Sequence, residues 1–286
     1  MKRRIGQTGV EVFALGLGAM PLSITNRPAE EKAIKVIHAA LDAGVDFIDT
    51  ANVYCLDDHD IGHNEKLIAK ALKSWPGQKD IFVATKGGLA RPGGAWEVAG
   101  EPKLLRQACE NSLRALNVEQ IFLYQLHAPD EHFSLADQIS TLARLQEEGK
   151  IRHIGISNVD RSEIILAQSI ARIETVQNEL NLSTRRDLDN GVFDACKQEN
   201  MTYIAYSPVG GGHSHEELSN NSIITSIAQK YHVSSYQLML AWALSKGDFI
   251  LPIPGASRIA SILDSVKAVN LKIERSDLKA IDEIKF

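Results

Sequence analysis

The spacing of hydrophobic positions changes repeatedly along this chain. Short apolar runs fall at 13–17, 45–49, 81–85, 121–126, 151–157, 175–179, 203–206 and 249–253. Between them apolar residues recur every three or four positions, as Ile34, Ile37, Ala40 and Leu41 do within 29–43. Similar spacing marks 64–72, 102–116, 135–148, 161–170, 187–199, 223–231 and 235–246. The runs predict buried strands and the wider spacing predicts amphipathic helices. Gly149 offers the 135–148 helix a C-terminal stop. Ahead of the first strand, residues 3–13 alternate weakly about Gln7-Thr8-Gly9, which suggests a small hairpin. Two helical patterns, 259–266 and 277–284, finish the chain.

Eight strands alternating with helices predict a parallel sheet. A (β/α)8 barrel takes about 250 residues, roughly thirty per unit, and the intervals among Asp49, Lys86, His127 and Ser157 are of that order. The competing architecture is a doubly wound sheet that binds a dinucleotide on a glycine-rich first turn. Its pattern is met only in part by Gly16-Leu17-Gly18-Ala19-Met20-Pro21, where Pro21 stands in place of the third glycine. The expected fold is therefore an α/β, single (β/α)8 TIM barrel over 1–286, with a short N-terminal hairpin and extra C-terminal helices. No stretch reads as a linker between domains.

Three of the predicted strands stop at an ionisable residue: Asp49, Lys86 and His127. A buried, unpaired carboxylate is costly, so Asp49 needs a partner. Tyr54 lies on the loop just beyond the first of these strands. A phenol titrates near 10 in water, and a neighbouring ammonium favours its ionised form. Asp49 would keep Lys86 charged, Lys86 would lower the Tyr54 pKa, and His127 could hydrogen-bond a carbonyl oxygen from the other side. No serine or cysteine stands in a nucleophile setting, so an electron donor would come from a cofactor. Other readings of the same residues are a purely structural Asp49–Lys86 ion pair and a Schiff-base lysine at Lys86. His59 and His63, with Asp57 and Asp60 beside them, have the spacing of a metal site but read as a solvated loop, and no metal is expected.

In combination these stretches resemble the aldo-keto reductase family. The matching residues are Asp49-Thr50-Ala51 with Tyr54, Asn64-Glu65, Lys86, Ser112-Leu113-Arg114-Ala115-Leu116, His127-Ala128-Pro129-Asp130, Gly155-Ile156-Ser157-Asn158, Gln177-Asn178-Glu179, Tyr206-Ser207-Pro208 and Ile253-Pro254-Gly255-Ala256. The likeness runs from about Gly16 to Ile262. It implies a (β/α)8 barrel that reduces an aldehyde or ketone, or oxidises the alcohol, by hydride transfer from a nicotinamide dinucleotide. Asp49, Tyr54, Lys86 and His127 would be the catalytic residues, with Tyr54 as general acid. Ser157, Asn158 and Gln177 would hold the carboxamide, and Tyr206 would stack on the nicotinamide ring. Ser207, Pro208, Val209, Gly210 and Gly211 would meet the pyrophosphate. Gly18 and Met20, with Pro254, Gly255, Ala256, Ser257, Arg258 and Asp264, complete the expected cofactor set. Arg258 is the partner for a 2′-phosphate, which favours NADP over NAD. Trp96 and His213 are the candidates for the substrate pocket. The chain departs from the family where glycine commonly follows the acid tyrosine: here it is Cys55, ahead of Asp57-Asp58-His59-Asp60. The family also contains cofactor-loaded regulatory subunits, the alternative to an enzyme.

Composition narrows the partners. A net charge of -5 gives no basic surface for nucleic acid or anionic lipid. No run of about eighteen apolar residues predicts a membrane span. The basic start Met1-Lys2-Arg3-Arg4 is followed by a mixed stretch with no signal-peptide core. Three scattered cysteines (Cys55, Cys109, Cys196) suggest a reducing, cytoplasmic home. The expected partner is a small carbonyl compound or alcohol, whose identity lies in loops that the sequence does not decode. Oligomeric state is not legible.

Overall fold

The computed structural model describes residues 1–286, apart from the side chain of His213. The hairpin of β1 (Lys2–Arg4) and β2 (Glu11–Phe13) leads into β3 (Leu17–Gly18), α1 (Glu30–Asp42), β4 (Phe47–Asp49) and α2 (His63–Ser74). Next come β5 (Phe82–Gly87), a second small hairpin of β6 (Leu89–Ala90) and β7 (Glu97–Val98), α3 (Pro102–Leu116), β8 (Ile121–Leu126) and α4 (Leu135–Glu147). The chain continues through β9 (Ile151–Ser157), α5 (Arg161–Ile170), β10 (Ile173–Glu179), α6 (Val192–Gln198) and β11 (Thr202–Tyr206). Helices α7 (Gly211–Asn220), α8 (Ser222–Lys230) and α9 (Ser235–Ser245) precede β12 (Ile250–Pro252), α10 (Ile259–Lys267) and α11 (Arg275–Asp282).

Eight strands form one parallel sheet in the order β12-β11-β10-β9-β8-β5-β4-β3. Its two edges meet. Gly16 N donates to Pro252 O at 2.9 Å and Gly18 N to Pro254 O at 3.0 Å, with a parallel bridge between Gly18 and Gly255. The eight-fold alternation read from the sequence thus closes into a barrel. Closure explains the glycines: a Cβ on Gly18 would lie 2.6 Å from Ile253 O, and one on Gly16 would lie 2.9 Å from both Ile253 and Phe47 side-chain carbons. The predicted 13–17 strand is consequently divided. Its first residue belongs to the hairpin, and of the rest only Leu17 falls within a barrel strand, β3.

Inward-facing Phe47, Ala84, Leu123, Ile204 and Leu251 pack with Ile5 and Val12 of the N-terminal hairpin. That hairpin plugs one end of the barrel, fastened by Gly6 N to Thr202 Oγ1 (2.8 Å) and Gln7 N to Glu174 Oε2 (2.7 Å). Two larger apolar clusters fill the layer between the sheet and the helices. With one end sealed, the C-terminal ends of the strands are left as the open face, where barrel active sites form.

Three segments differ from expectation. The glycine-rich stretch after β11 is not a loop throughout: 211–220 is helical and is anchored by the buried Leu218. The expected helix 187–199 is split, because Gly191 at φ 89 starts α6 anew after a short 3-10 turn at Arg186–Leu188. The 87–100 loop carries the β6–β7 hairpin. Among the described residues, no helix is long and apolar enough to cross a membrane.

Candidate active site

Asp49, Lys86 and Tyr54 meet as the strand ends required. Lys86 Nζ donates to Asp49 Oδ1 at 2.5 Å, to Thr50 O at 2.9 Å and to Tyr54 Oη at 3.0 Å. All three ammonium donors are used, and the lysine is wholly buried. The other carboxylate oxygen, Asp49 Oδ2, accepts from Gln177 Nε2 at 2.7 Å and Gln125 Nε2 at 3.3 Å. The charge pair is therefore hydrogen-bonded on every side, the condition under which burial of two charges is tolerated. His127 stands across the Tyr54 ring, edge to face at 5.8 Å between centroids.

The electrostatics correct one expectation. Lys86 does act to lower the Tyr54 pKa, but burial pushes it up more strongly, and the net displacement is above the ordinary value. The phenol is thus held neutral, as a proton donor. For Lys86, burial alone would drive the ammonium pKa down; Asp49 and Tyr54 together outweigh it and hold it up. Burial, with the nearby Lys86 charge, keeps the His127 imidazole pKa well below its usual value. His127 Nδ1 is buried with no hydrogen-bond partner among the described residues.

From Tyr54 a cleft of about 1210 Å³ extends to the N-terminal end of α10. Asp49, Tyr54 and His127 line it, while Lys86 lies beneath its floor. Of the expected cofactor residues, all but Gly210 border the cleft. Gly210 precedes α7 as its N-cap at φ 90, where a Cβ would lie 2.9 Å from His215 N. Asp264 borders the cleft, yet its carboxylate accepts from Ser234 Oγ and Gln237 Nε2, both at 2.5 Å, and ties α10 to α9. Trp96 lines the mouth. The His213 side chain lies outside the described residues.

The remaining residues form a web beside the catalytic cluster. Ser157 Oγ donates to Gln177 O at 2.6 Å, Asn158 Nδ2 to His127 O at 2.9 Å, and Tyr206 Oη to Asn158 Oδ1 at 2.8 Å. Asn158 holds a left-handed φ of 58, a conformation that asparagine tolerates better than most residues. Sequence reasoning missed Gln125, because a glutamine inside a strand carries no chemical signal of its own. It also missed Ile24, Thr25 and Asn26, which line the cleft from the first strand-to-helix connection, and Tyr236 on α9. The rule that such connections line a barrel's site was the only cue available.

A nicotinamide dinucleotide fits this residue set. Amide and hydroxyl groups (Ser157, Asn158, Gln177) and the Tyr206 ring line the same cleft as Tyr54, a set suited to a carboxamide-bearing ring. A Cβ on Gly255 would fall 2.7 Å from Pro21 Cγ, so this pinch of the cleft depends on glycine. At the far end, Arg258 is exposed, pairs with no carboxylate among the described residues, and begins α10 without a side-chain cap. Free backbone N–H groups and a guanidinium there suit a phosphate.

Comparison with known proteins gives the family and the fold. The model of the aldo/keto reductase family matches residues 14–285. A probable aldo-keto reductase 1 of Glycine max is 34% identical over 309 residues, covering 98% of this chain and 87% of that protein. Among solved structures, a thermostable aldo-keto reductase in complex with the inhibitor epalrestat superposes with a TM-score of 0.84 at 29% identity, over 99% of this chain and 98% of the other. An aldo-keto reductase from Klebsiella pneumoniae in complex with NADPH gives a TM-score of 0.83 at 24% identity, over 98% and 94%. That last likeness speaks for the fold.

Proposed function

The chain belongs to the aldo/keto reductase family, and from that premise we propose that it is an NADPH-dependent oxidoreductase interconverting an aldehyde or ketone with its alcohol. The observation that carries the proposal is the Tyr54 phenol on the cleft lining, 3.0 Å from the Lys86 ammonium that Asp49 fixes. When bound, the nicotinamide supplies the hydride. Tyr54 gives its proton to the carbonyl oxygen, and Lys86 then steadies the phenolate left behind. His127 Nε2, on a neutral ring, orients the carbonyl. Ser157, Asn158 and Gln177 would hold the carboxamide, Tyr206 the ring face, and Arg258 a 2′-phosphate, the feature that favours NADPH over NADH.

Lys86 as a Schiff-base nucleophile has no support, because its three donors are already committed and its ammonium is stabilised. The three cysteines are free and buried, which supports a reducing, cytoplasmic setting. The test is a panel of aldehydes and ketones assayed side by side with NADPH and NADH. Steady consumption of NADPH with at least one carbonyl, faster than with NADH, is expected. Tight cofactor binding without turnover of any carbonyl would favour a regulatory subunit and overturn the proposal.

A further inference from the structure

The hairpin after β5 forms a strap at the cleft mouth that the proposed chemistry leaves unused. β6 and β7 pair antiparallel, Leu89 with Val98 and Ala90 with Glu97. The chain between them turns through Gly93 (φ 54) and Gly94 (φ 89), left-handed positions natural to glycine. Arg91 and Trp96 flank the turn, with the guanidinium carbon 3.9 Å from the indole centroid. Arg91 Nη2 also donates to Cys55 O and Leu56 O, each at 3.2 Å, the backbone directly after Tyr54. The strap rests on that same turn, since Gly93 N meets Asp58 Oδ1 at 3.4 Å.

Arg91 is only 5% exposed and has no carboxylate within ion-pair distance among the described residues, while Nε and Nη1 lack partners. A buried, unpaired guanidinium is a costly way to brace a loop. The contacts it does make are those a planar cation provides: two carbonyls at its edge and an aromatic ring on its face. That ring, Trp96, is 47% exposed and stands edge-on to Tyr54, 6.3 Å away at 77°. Leu89 and Met20 also line the cleft and pack against the Tyr54 cluster, while Arg91, beneath the indole, does not border it.

We propose that Arg91 is a positioning residue that holds Trp96 as a flat wall beside the Tyr54 phenol, and that this wall selects carbonyl compounds carrying an aryl or conjugated group. The inference rests on the carbonyl-reductase reading above. A pinned indole presents its face to a planar substituent without first losing rotational freedom, whereas a short aliphatic substrate gains little from it.

The test compares 4-nitrobenzaldehyde with propanal in Arg91→Ala, Arg91→Lys, Trp96→Ala and the Arg91→Ala/Trp96→Ala pair. Arg91→Ala should raise KM for the aromatic aldehyde about tenfold, with kcat and the propanal KM moving less than about twofold. Arg91→Lys keeps the charge but lacks the planar face, so it should also raise the aromatic KM; it decides the matter if Arg91→Ala does not fold. The double variant should be no worse than Trp96→Ala alone, because both residues act through one wall. Equal KM rises for the two aldehydes, additive losses, or a folded Arg91→Lys with an unchanged aromatic KM would overturn the inference. If the wild-type chain reduces no carbonyl, the function proposal alone fails, and Arg91 is tested through the indole. The Trp96 emission, taken as the difference from Trp96→Phe, should become more open to acrylamide quenching in both Arg91 variants. Unchanged quenching would refute the positioning role.

Discussion

The two ends of the cleft are built differently. At the Tyr54 end, three strands deliver buried side chains whose donors and acceptors are almost all engaged: Lys86 spends three donors, and Asp49 accepts from Lys86, Gln177 and Gln125. At the Arg258 end, a helix start presents an exposed guanidinium and uncapped backbone to solvent. Chemistry needs groups held to a fraction of an ångström, which strand ends of a closed barrel provide. Recognition of a flexible dinucleotide tail needs charge and free donors more than rigidity. Substitutions at the first end should therefore damage rate and stability, and those at the second should damage binding.

Tyr54→Phe tests this contrast most severely. It should lower the reduction kcat by about 10²–10⁴-fold while the NADPH dissociation constant, read by fluorescence titration, stays within about twofold. A fully active variant would remove the acid role. Lys86→Met comes next, as it strands Asp49 in the core and should cost about 3–5 kcal/mol in denaturant unfolding. Adding Asp49→Asn should recover most of that stability without restoring turnover. Recovery of both would make the pair merely structural.

Arg258→Ala should weaken NADPH binding by about tenfold or more and leave NADH within about twofold. Equal loss for the two cofactors would place the 2′-phosphate elsewhere. The smallest effect is expected from pH. Burial holds the Tyr54 pKa above its ordinary value, so the proton donor persists as pH rises and is lost only through that raised pKa. His127 is held well below the usual imidazole value, so it stays neutral as pH falls through about 6.5. The kcat/KM for reduction should accordingly be nearly flat between about pH 6 and 9, while alcohol oxidation, which needs the phenolate, should climb with pH. A bell centred near neutrality would contradict both directions.

The catalytic end was legible because its signal is local and energetic. An apolar run that stops at Asp49, Lys86 or His127 announces a buried ionisable group, and only a few arrangements make that tolerable. The elements between were legible for a similar reason: the 102–116, 151–157 and 161–170 patterns reappear unchanged as α3, β9 and α5. Helix α7 was missed because a glycine-rich stretch with one buried anchor, Leu218, shows no apolar period. The upward displacement of the Tyr54 pKa was missed as well, since neighbouring charges can be read from motifs but the degree of desolvation cannot.

By itself, then, the sequence determined the eightfold alternation, the identity of the groups at the strand ends and the polar set beside them, all of which follow from periodicity and the cost of burying charge. Only the tertiary structure decided which groups touch. Gln177 reaches Asp49 across 128 positions, Gly16 and Gly18 close the barrel against Pro252 and Pro254, and Arg91 carries Trp96 up to Tyr54. Such contacts arise when the sheet curls shut and brings distant loops to one face, and no local pattern along the chain records that closure.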